Sequence, residues 1–219
     1  MTDGLERVKA AHGRLKVFPL PSAVLFPASV MPLHIFEPRY RELVRDALAG
    51  DRIMALGAFS PGWETNYQGR PPLEPLCCAG AIVWHEALED GRYNILLQGI
   101  VRARIVEELP AARLYREVRA DLLPDPQFEG PEVELLRNAV LELASDLPQQ
   151  TAQVLVQQAV RAEGGELADL VAAAVVGQVE RRKELLELLP VKERLVAVLG
   201  DISDVIARTR VVRPGGPLN

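Results

Sequence analysis

The amino-acid sequence predicts an α+β protein, with a strand-rich first half followed by a helical second half. Before Pro124 the apolar segments are short, rich in Val, Ile and Leu, and interrupted by Pro and Gly, as is typical of strands. After Pro124 the apolar residues recur at helical spacing. This change of pattern predicts two domains, a β-rich domain over residues 1–123 and a helical bundle over residues 124–219.

The first half shows the pattern of five or more strands and a single helix. Pro38 suits the first position of the helix and Gly50 its end. Asp90-Gly91 is typical of a tight turn between two strands, whereas the prolines of residues 21–32 predict an irregular segment. The predicted strands cover residues 15–20, 52–59, 76–87, 92–98, 101–105 and 115–122, and the helix covers residues 38–49. So many closely spaced strands predict a small, curved or barrel-like sheet, with Gly99 interrupting it between two of them.

The second half is expected to contain four or five helices. Leu136, Val140 and Leu143 repeat at helical spacing after Pro131, which suits a helix start. Similar patterns cover residues 149–162, 167–179, 181–188 and 191–209, separated by Gly164-Gly165 and by Pro190. We expect the end of the chain, near Pro214 to Pro217, to fray.

Composition and charge narrow the classes of function. The 219 residues are 48% hydrophobic and 25% charged, which is ordinary for a globular protein. The formal net charge of -5 argues against a nucleic-acid partner, since such binding normally needs a basic surface. No apolar run approaches the roughly 20 residues of a membrane-spanning helix. Cys77 and Cys78 are adjacent, which disfavours a disulfide and predicts a reducing, cytoplasmic location.

The sequence lacks the motifs that would indicate catalysis. It has no Gly-rich loop ending in Gly-Lys-Ser or Gly-Lys-Thr, no Gly-x-Ser-x-Gly elbow and no His-Glu-x-x-His pair. Its three histidines, His12, His34 and His85, are scattered, and no Cys or His cluster completes a tetrahedral metal site. We therefore expect no catalytic residues, no metal and no cofactor.

The candidate binding residues are Phe59, Trp63, Tyr67, Arg102 and Arg104. Trp63 and Tyr67 lie in a Gly- and Pro-rich loop over residues 60–75. Large aromatic side chains anchor interfaces when they are exposed, although this loop could equally fold back as a lid on the sheet. Arg102 and Arg104 share one face of a predicted strand. They could contact an acidic peptide or a phosphate, or could belong to an ordinary solvated face.

Several segments together resemble the substrate-binding domain at the N-terminus of Lon proteases. The opening signature is carried by Val17-Phe18-Pro19-Leu20, Val24-Leu25-Phe26-Pro27 and Pro32-Leu33-His34-Ile35-Phe36-Glu37-Pro38-Arg39-Tyr40. The resemblance continues through residues 80–83, 90–99 and 102–105. In the helical half it reappears at residues 167–169, 185–187 and 193–195. It thus extends over nearly the whole chain.

The resemblance implies a PUA-like β pseudobarrel followed by a helical bundle, in a stand-alone member without the ATPase and protease modules. It implies a non-catalytic module that binds unfolded or tagged polypeptides, or another protein partner, as an adaptor or holdase. The groove would lie between the halves or beside the Trp63 loop. The alternative is RNA binding, since some PUA-like folds bind RNA, with Arg92, Arg102 and Arg104 as phosphate contacts.

The signature residues are expected to serve the fold rather than contact a ligand. A charge pair between Glu37 and Arg39 would lock the start of the helix. Ala28 and Cys77 replace glycines that are common in the family, which suggests local differences of backbone. The expected core positions are Phe18, Leu25, Phe26, Leu33, Ile35 and Phe36.

Overall fold

The computed structural model describes residues 2–67 and 69–212, which fall into two compact units, Met1–Pro124 and Asp125–Asn219. The tail near Pro214 to Pro217, expected to fray, lies outside the described residues. The α+β class is confirmed, with all the strands in the first unit and helices α3 to α7 in the second.

Among the described residues, six strands form one mixed sheet in the first unit. They are β1 (Leu15–Pro19), β2 (Val30–Ile35), β3 (Ile53–Gly57), β4 (Leu76–Ala87), β5 (Tyr93–Glu108) and β6 (Arg116–Leu123). The strand order is β2-β5-β4-β3-β1-β6, and β5 also pairs with β6. Five strands therefore close into a ring, with β2 attached outside it. The predicted barrel-like sheet is confirmed.

Gly99 does not end a strand as expected, because β5 is one continuous strand of 16 residues. Its pairing with β4 is nevertheless irregular there, since Gly80 pairs with Gly99 and Ala79 with Val101. The first part of β5 pairs with β2 and β4, and its second part pairs with β6. A Cβ on Gly99 would overlap the carbonyl oxygen of Phe26 and would lie 3.1 Å from Sγ of Cys78. Gly99 therefore permits a close approach between β5 and the segment before β2.

The segment before β2 is a tight turn docked on β5. Ser29 Oγ donates to the carbonyl of Phe26 (2.7 Å) and accepts from its N–H (3.2 Å). The N–H of Ala28 donates to Gly99 O (3.0 Å), and the N–H of Gly99 donates to Ser29 O (2.9 Å). The expectation of irregular structure up to Pro32 was wrong at its end, because β2 begins at Val30. Pro32 is tolerated there because β2 is an edge strand.

Ala28 keeps the left-handed conformation that glycine favours, with φ of 63°. A left-handed alanine is strained by its Cβ, so we predict that Ala28→Gly raises the free energy of unfolding by about 0.5–1 kcal/mol. Urea unfolding followed by tryptophan fluorescence would measure the change. Ala87→Gly is the control, since φ of Ala87 is not positive. It should be neutral or destabilising, and an equal effect of the two substitutions would contradict the strain.

The described part of the first unit contains two α-helices where the sequence predicted one. Helix α2 (Pro38–Ala49) matches its predicted bounds. Helix α1 (Thr2–Ala11) was missed because this mostly polar segment offers few apolar positions. Leu5, Val8 and Ala11 nevertheless pack against one face of the sheet, beside small buried residues such as Cys77 and Ala103. Burial raises the pKa of the Cys77 thiol to about 12, which makes this thiol unreactive.

In the described part of the second unit there are five helices, as predicted. They are α3 (Pro131–Ala144), α4 (Gln149–Arg161), α5 (Gly164–Val175), α6 (Val179–Glu187) and α7 (Val191–Val212). Arg194 of α7 and Asp169 of α5 are both fully buried, with Nε 3.2 Å from Oδ1. The Arg194 guanidinium also contacts Asp125 and donates to Leu188 O (2.8 Å). One buried cation thus joins α5, α7, the segment before α3 and the loop before α7.

Candidate binding surfaces

The loop that follows β3 is held closed at its base. Phe59 forms an isolated bridge with Leu73. The N–H of Ser60 donates to Pro72 O, and the N–H of Glu74 donates to Ala58 O, both at 2.9 Å. The loop between these contacts includes a short 3-10 helix, Trp63–Asn66. Its aromatic side chains are therefore presented from a fixed base.

Phe59, Trp63 and Tyr67 form one aromatic cluster. Trp63 stacks on Phe59 with the ring centroids 5.5 Å apart. Tyr67 stands edge-on to both rings, with centroids 5.9 Å from Phe59 and 5.7 Å from Trp63. Phe59 is buried, whereas Trp63 and Tyr67 are half-buried. The structure thus brings together three of the five predicted site residues, folded back on one another.

Glu37 and Arg39 tie this cluster to the start of α2. The predicted charge pair is present, with Arg39 Nη2 2.8 Å from Glu37 Oε2. The hydroxyl of Tyr67 donates to Glu37 Oε1 (2.6 Å). Burial, followed by this hydrogen bond, raises the pKa of Tyr67. The Arg39 guanidinium lies over the rings of Tyr40 and Tyr67, 4.7 and 4.8 Å from their centroids. These contacts fix its orientation.

A cavity of about 230 Å³ adjoins the cluster. Its apolar walls include Phe59, Tyr40 and Leu114, and its polar wall consists of arginine side chains. These are Arg39, Arg70 and Arg116. Phe59 thus belongs both to the aromatic cluster and to the cavity.

The two arginines of β5 do not form a common solvated face. Arg104 is exposed, whereas Arg102 is buried with only 1% of its surface accessible. Both arginines pair with β4 and β6, Arg102 with Cys78 and Leu123 and Arg104 with Leu76 and Asp121, so strand pairing does not account for the difference. The expectation that Arg102 lies on a wet face was wrong. Neither arginine lines the cavity.

The sequence interpretation missed an exposed apolar surface on the β2–β5–β4 part of the sheet. Pro32, Leu96 and Trp84 are paired across the three strands, so their side chains share one face. Val30 of β2 and Phe36, the residue after β2, lie on the same face on either side of this row, with Phe36 beyond His34. We use the name sheet face for these residues: Val30, Pro32, Phe36, Trp84 and Leu96.

Exposure at the sheet face is high for large apolar side chains. Phe36 is 60% exposed, Val30 51% and Trp84 48%. The expectation that Phe36 is a core residue was therefore wrong, although Phe18, Leu25, Phe26 and Ile35 are buried as expected. A polar row lies beside the apolar one, because Asn94 hydrogen-bonds both His34 (2.7 Å) and Glu86 (2.8 Å).

The exposed surface could have been predicted from β2, because the side chains of a strand point alternately to its two faces. Residues two apart on a strand share a face, so Ile35 and Phe36 must point to opposite sides. Burial of Ile35 in the core leaves Phe36 on the outer side, with His34. Counting both as core residues ignored this alternation.

No group of three or more His, Cys, Asp or Glu side chains that could hold a metal ion occurs in the part of the chain that is described. Of the helices described, none is both long enough and apolar enough to cross a membrane.

Residues 14–203 match the family described as the ATP-dependent protease La (LON) substrate-binding domain. The chain is similar to Lon protease 2 of Myxococcus xanthus, with 30% identity over 193 residues. That alignment covers 84% of this chain and 23% of the relative. Lon protease 2 of Sorangium cellulosum is 31% identical over 208 residues, which cover 89% of this chain and 25% of that protein. The chain thus spans about a quarter of the length of these relatives.

Two solved structures have the same fold. The N-terminal domain of the Mycobacterium avium complex Lon protease superposes with a TM-score of 0.68 at 18% identity, covering 87% of this chain and 98% of that one. A Lon N-terminal domain protein from Xanthomonas campestris gives a TM-score of 0.62 at 20% identity, with 85% and 97% covered. At these identities the likeness concerns the fold alone.

Proposed function

The chain belongs to the Lon substrate-binding domain family, and from this premise we propose that it is a non-catalytic module that binds unfolded or tagged polypeptides. The match corresponds to the N-terminal domain of Lon proteases and not to their catalytic regions. Within these 219 residues the chemistry is therefore recognition. Cleavage and ATP hydrolysis would belong to other polypeptide segments, which this module would serve as an adaptor or holdase.

The observation that supports polypeptide binding best is the sheet face. Its large apolar side chains Val30, Phe36 and Trp84 are each 48–60% exposed. Exposed apolar surface of this kind marks interaction sites, because its burial by a partner is favourable. An apolar segment that is exposed only when a client is unfolded supplies the complementary chemistry.

The edge of the sheet favours an extended ligand. In the described part of the chain β2 pairs only with β5, so its other edge is open to main-chain hydrogen bonds. A segment added along β2 would place alternate side chains beside Phe36 and Val30. Main-chain pairing tolerates many sequences, which suits a module that meets many clients.

The alternative of RNA binding has little support from the arginines. Arg102 is buried, and Arg92 is paired with Asp90 at 2.6 Å. Arg104 alone does not make a basic surface. The buried thiols of Cys77 and Cys78 support the proposal that the module works in the reducing cytoplasm.

We expect the double substitution Phe36→Ala and Trp84→Ala to weaken binding of an unfolded polypeptide by about tenfold or more, because it removes the two aromatic anchors. Fluorescence anisotropy with labelled, reduced and carboxymethylated α-lactalbumin would measure it. Leu135→Ala with Val154→Ala is the matched control, since both residues are 53% exposed and lie in the second unit. Equal losses in the two double variants would show that the sheet face is not the site.

A further inference from the structure

Resting on the proposed function, we infer that the arginine-lined cavity beside Phe59 binds the C-terminal carboxylate of a client polypeptide together with its last apolar side chain. This is a second contact, separate from the sheet face. Its ligand is a chain end, whereas the sheet face suits an internal apolar segment. The charge and the size of the cavity and the fixed positions of its guanidinium groups support this assignment.

The cavity is electropositive in a protein whose net charge is -5. Arg39, Arg70 and Arg116 line it, and no acidic residue does so among those that the structure describes. Two carboxylates pair with the three guanidinium groups from outside the lining. Glu108 contacts Arg70 (2.9 Å) and Arg116 (Nε, 3.0 Å), and Glu37 contacts Arg39. One positive charge is left over, which is the charge that an incoming carboxylate would balance.

One nitrogen of the Arg39 guanidinium makes no hydrogen bond to a described residue. Its Nη2 forms an ion pair with Glu37 Oε2 (2.8 Å) but no hydrogen bond to it. This buried nitrogen therefore has no hydrogen-bond partner among the described residues. A ligand oxygen aligned with this nitrogen would supply the hydrogen bond that it lacks.

The arginines are already oriented for a planar anion. Arg116 Nη1 donates to Pro71 O (2.6 Å) and its other nitrogens engage Glu108. Arg39 lies between the rings of Tyr40 and Tyr67. A guanidinium held in this way loses little conformational entropy when it binds a carboxylate. The site is therefore built before the ligand arrives.

The size of the cavity favours the end of a polypeptide chain over an internal segment. About 230 Å³ is below the range of roughly 300–1,000 Å³ typical of small-molecule pockets. It has room for one residue and not for a chain that enters and leaves. The buried rings of Tyr40 and Phe59 form an apolar wall, and Leu114, which is 63% exposed, stands at the rim. An apolar C-terminal residue carries its carboxylate and its side chain on the same carbon. The carboxylate would face the arginines, and the side chain would pack against Tyr40 and Phe59.

The test compares two forms of one short peptide ending in leucine, a free acid and a C-terminal amide, by fluorescence anisotropy. The free acid should bind the wild-type chain about tenfold more tightly, because charge-assisted bonds to arginine are strong. Arg70→Gln should remove most of the difference. Arg119→Gln is the matched control, since Arg119 pairs with Glu107 (2.8 Å) as Arg70 pairs with Glu108, away from the cavity.

Equal binding of the acid and the amide to the wild type would overturn the inference and leave the proposed function intact. Failure of both forms to bind would also overturn the inference, and only a failure of unfolded α-lactalbumin to bind as well would count against the proposed function. The inference would also fall if Arg119→Gln abolished the acid–amide difference as fully as Arg70→Gln. Displacement of the acid by a short single-stranded RNA at constant ionic strength would reassign the cavity to phosphate.

Discussion

Arg194→Met is expected to lower the free energy of unfolding of the second unit by about 3–5 kcal/mol, the largest effect that we predict. Arg194 and Asp169 are both fully buried, and their side chains lie 3.2 Å apart. Methionine fills a similar volume but leaves the Asp169 carboxylate buried next to an apolar side chain. A buried carboxylate without a paired cation has lost its hydration and receives no compensating interaction, so it destabilises the folded state.

Urea unfolding followed by circular dichroism at 222 nm would measure this loss, because helices dominate that signal. The double variant Arg194→Met, Asp169→Leu is the informative comparison. It replaces the buried pair by apolar groups and should recover part of the stability, since the pair contributes less than the isolated charge costs. A loss below about 1 kcal/mol in the single variant, against the expected 3–5, would contradict the account of this ion pair.

Gly99→Ala is expected to destabilise the first unit by about 3 kcal/mol. The added methyl group would overlap the carbonyl oxygen of Phe26 and would lie 3.1 Å from Sγ of Cys78. A backbone carbonyl cannot rotate away as a side chain could. The turn at Phe26 to Ser29 would have to leave β5, with the loss of both hydrogen bonds that join Gly99 to Ala28 and Ser29.

Tryptophan fluorescence is the suitable probe for Gly99→Ala, because both tryptophans, Trp63 and Trp84, lie in the first unit. Gly200→Ala is the control, since a Cβ there meets nothing within 4 Å. In the middle of α7 alanine should stabilise by about 0.5–1 kcal/mol. If Gly99→Ala left the fluorescence midpoint unchanged, the close approach to Phe26 could not be required by the fold.

The sequence predicted the ends of helices and turns correctly where proline or glycine marked them. Pro38 and Gly50 gave the bounds of α2, and Asp90-Gly91 placed the turn between β4 and β5. Gly99 was misread because an isolated glycine in a strand signals either an end or a close approach. Only the position of Phe26 distinguishes these, and Phe26 is distant in sequence.

The candidate site was predicted only in part, because exposure depends on tertiary packing. The aromatic residues of the loop were recognised by type, but their packing on Phe59 was not. Arg102 and Arg104 share a face of β5 by their spacing, yet Arg102 is buried whereas Arg104 is exposed. Arg39, Arg70 and Arg116 meet at one cavity from three separate segments, and no spacing in the sequence brings them together.

Hydrogen exchange of the whole chain, with and without an excess of reduced and carboxymethylated α-lactalbumin, tests the polypeptide-binding role most directly. We predict slower exchange in β2 and in the part of β4 around Trp84, where an added strand and apolar contacts would shield the amides. Unchanged exchange throughout the first unit at saturating client would contradict the central claim that this surface recognises unfolded chains.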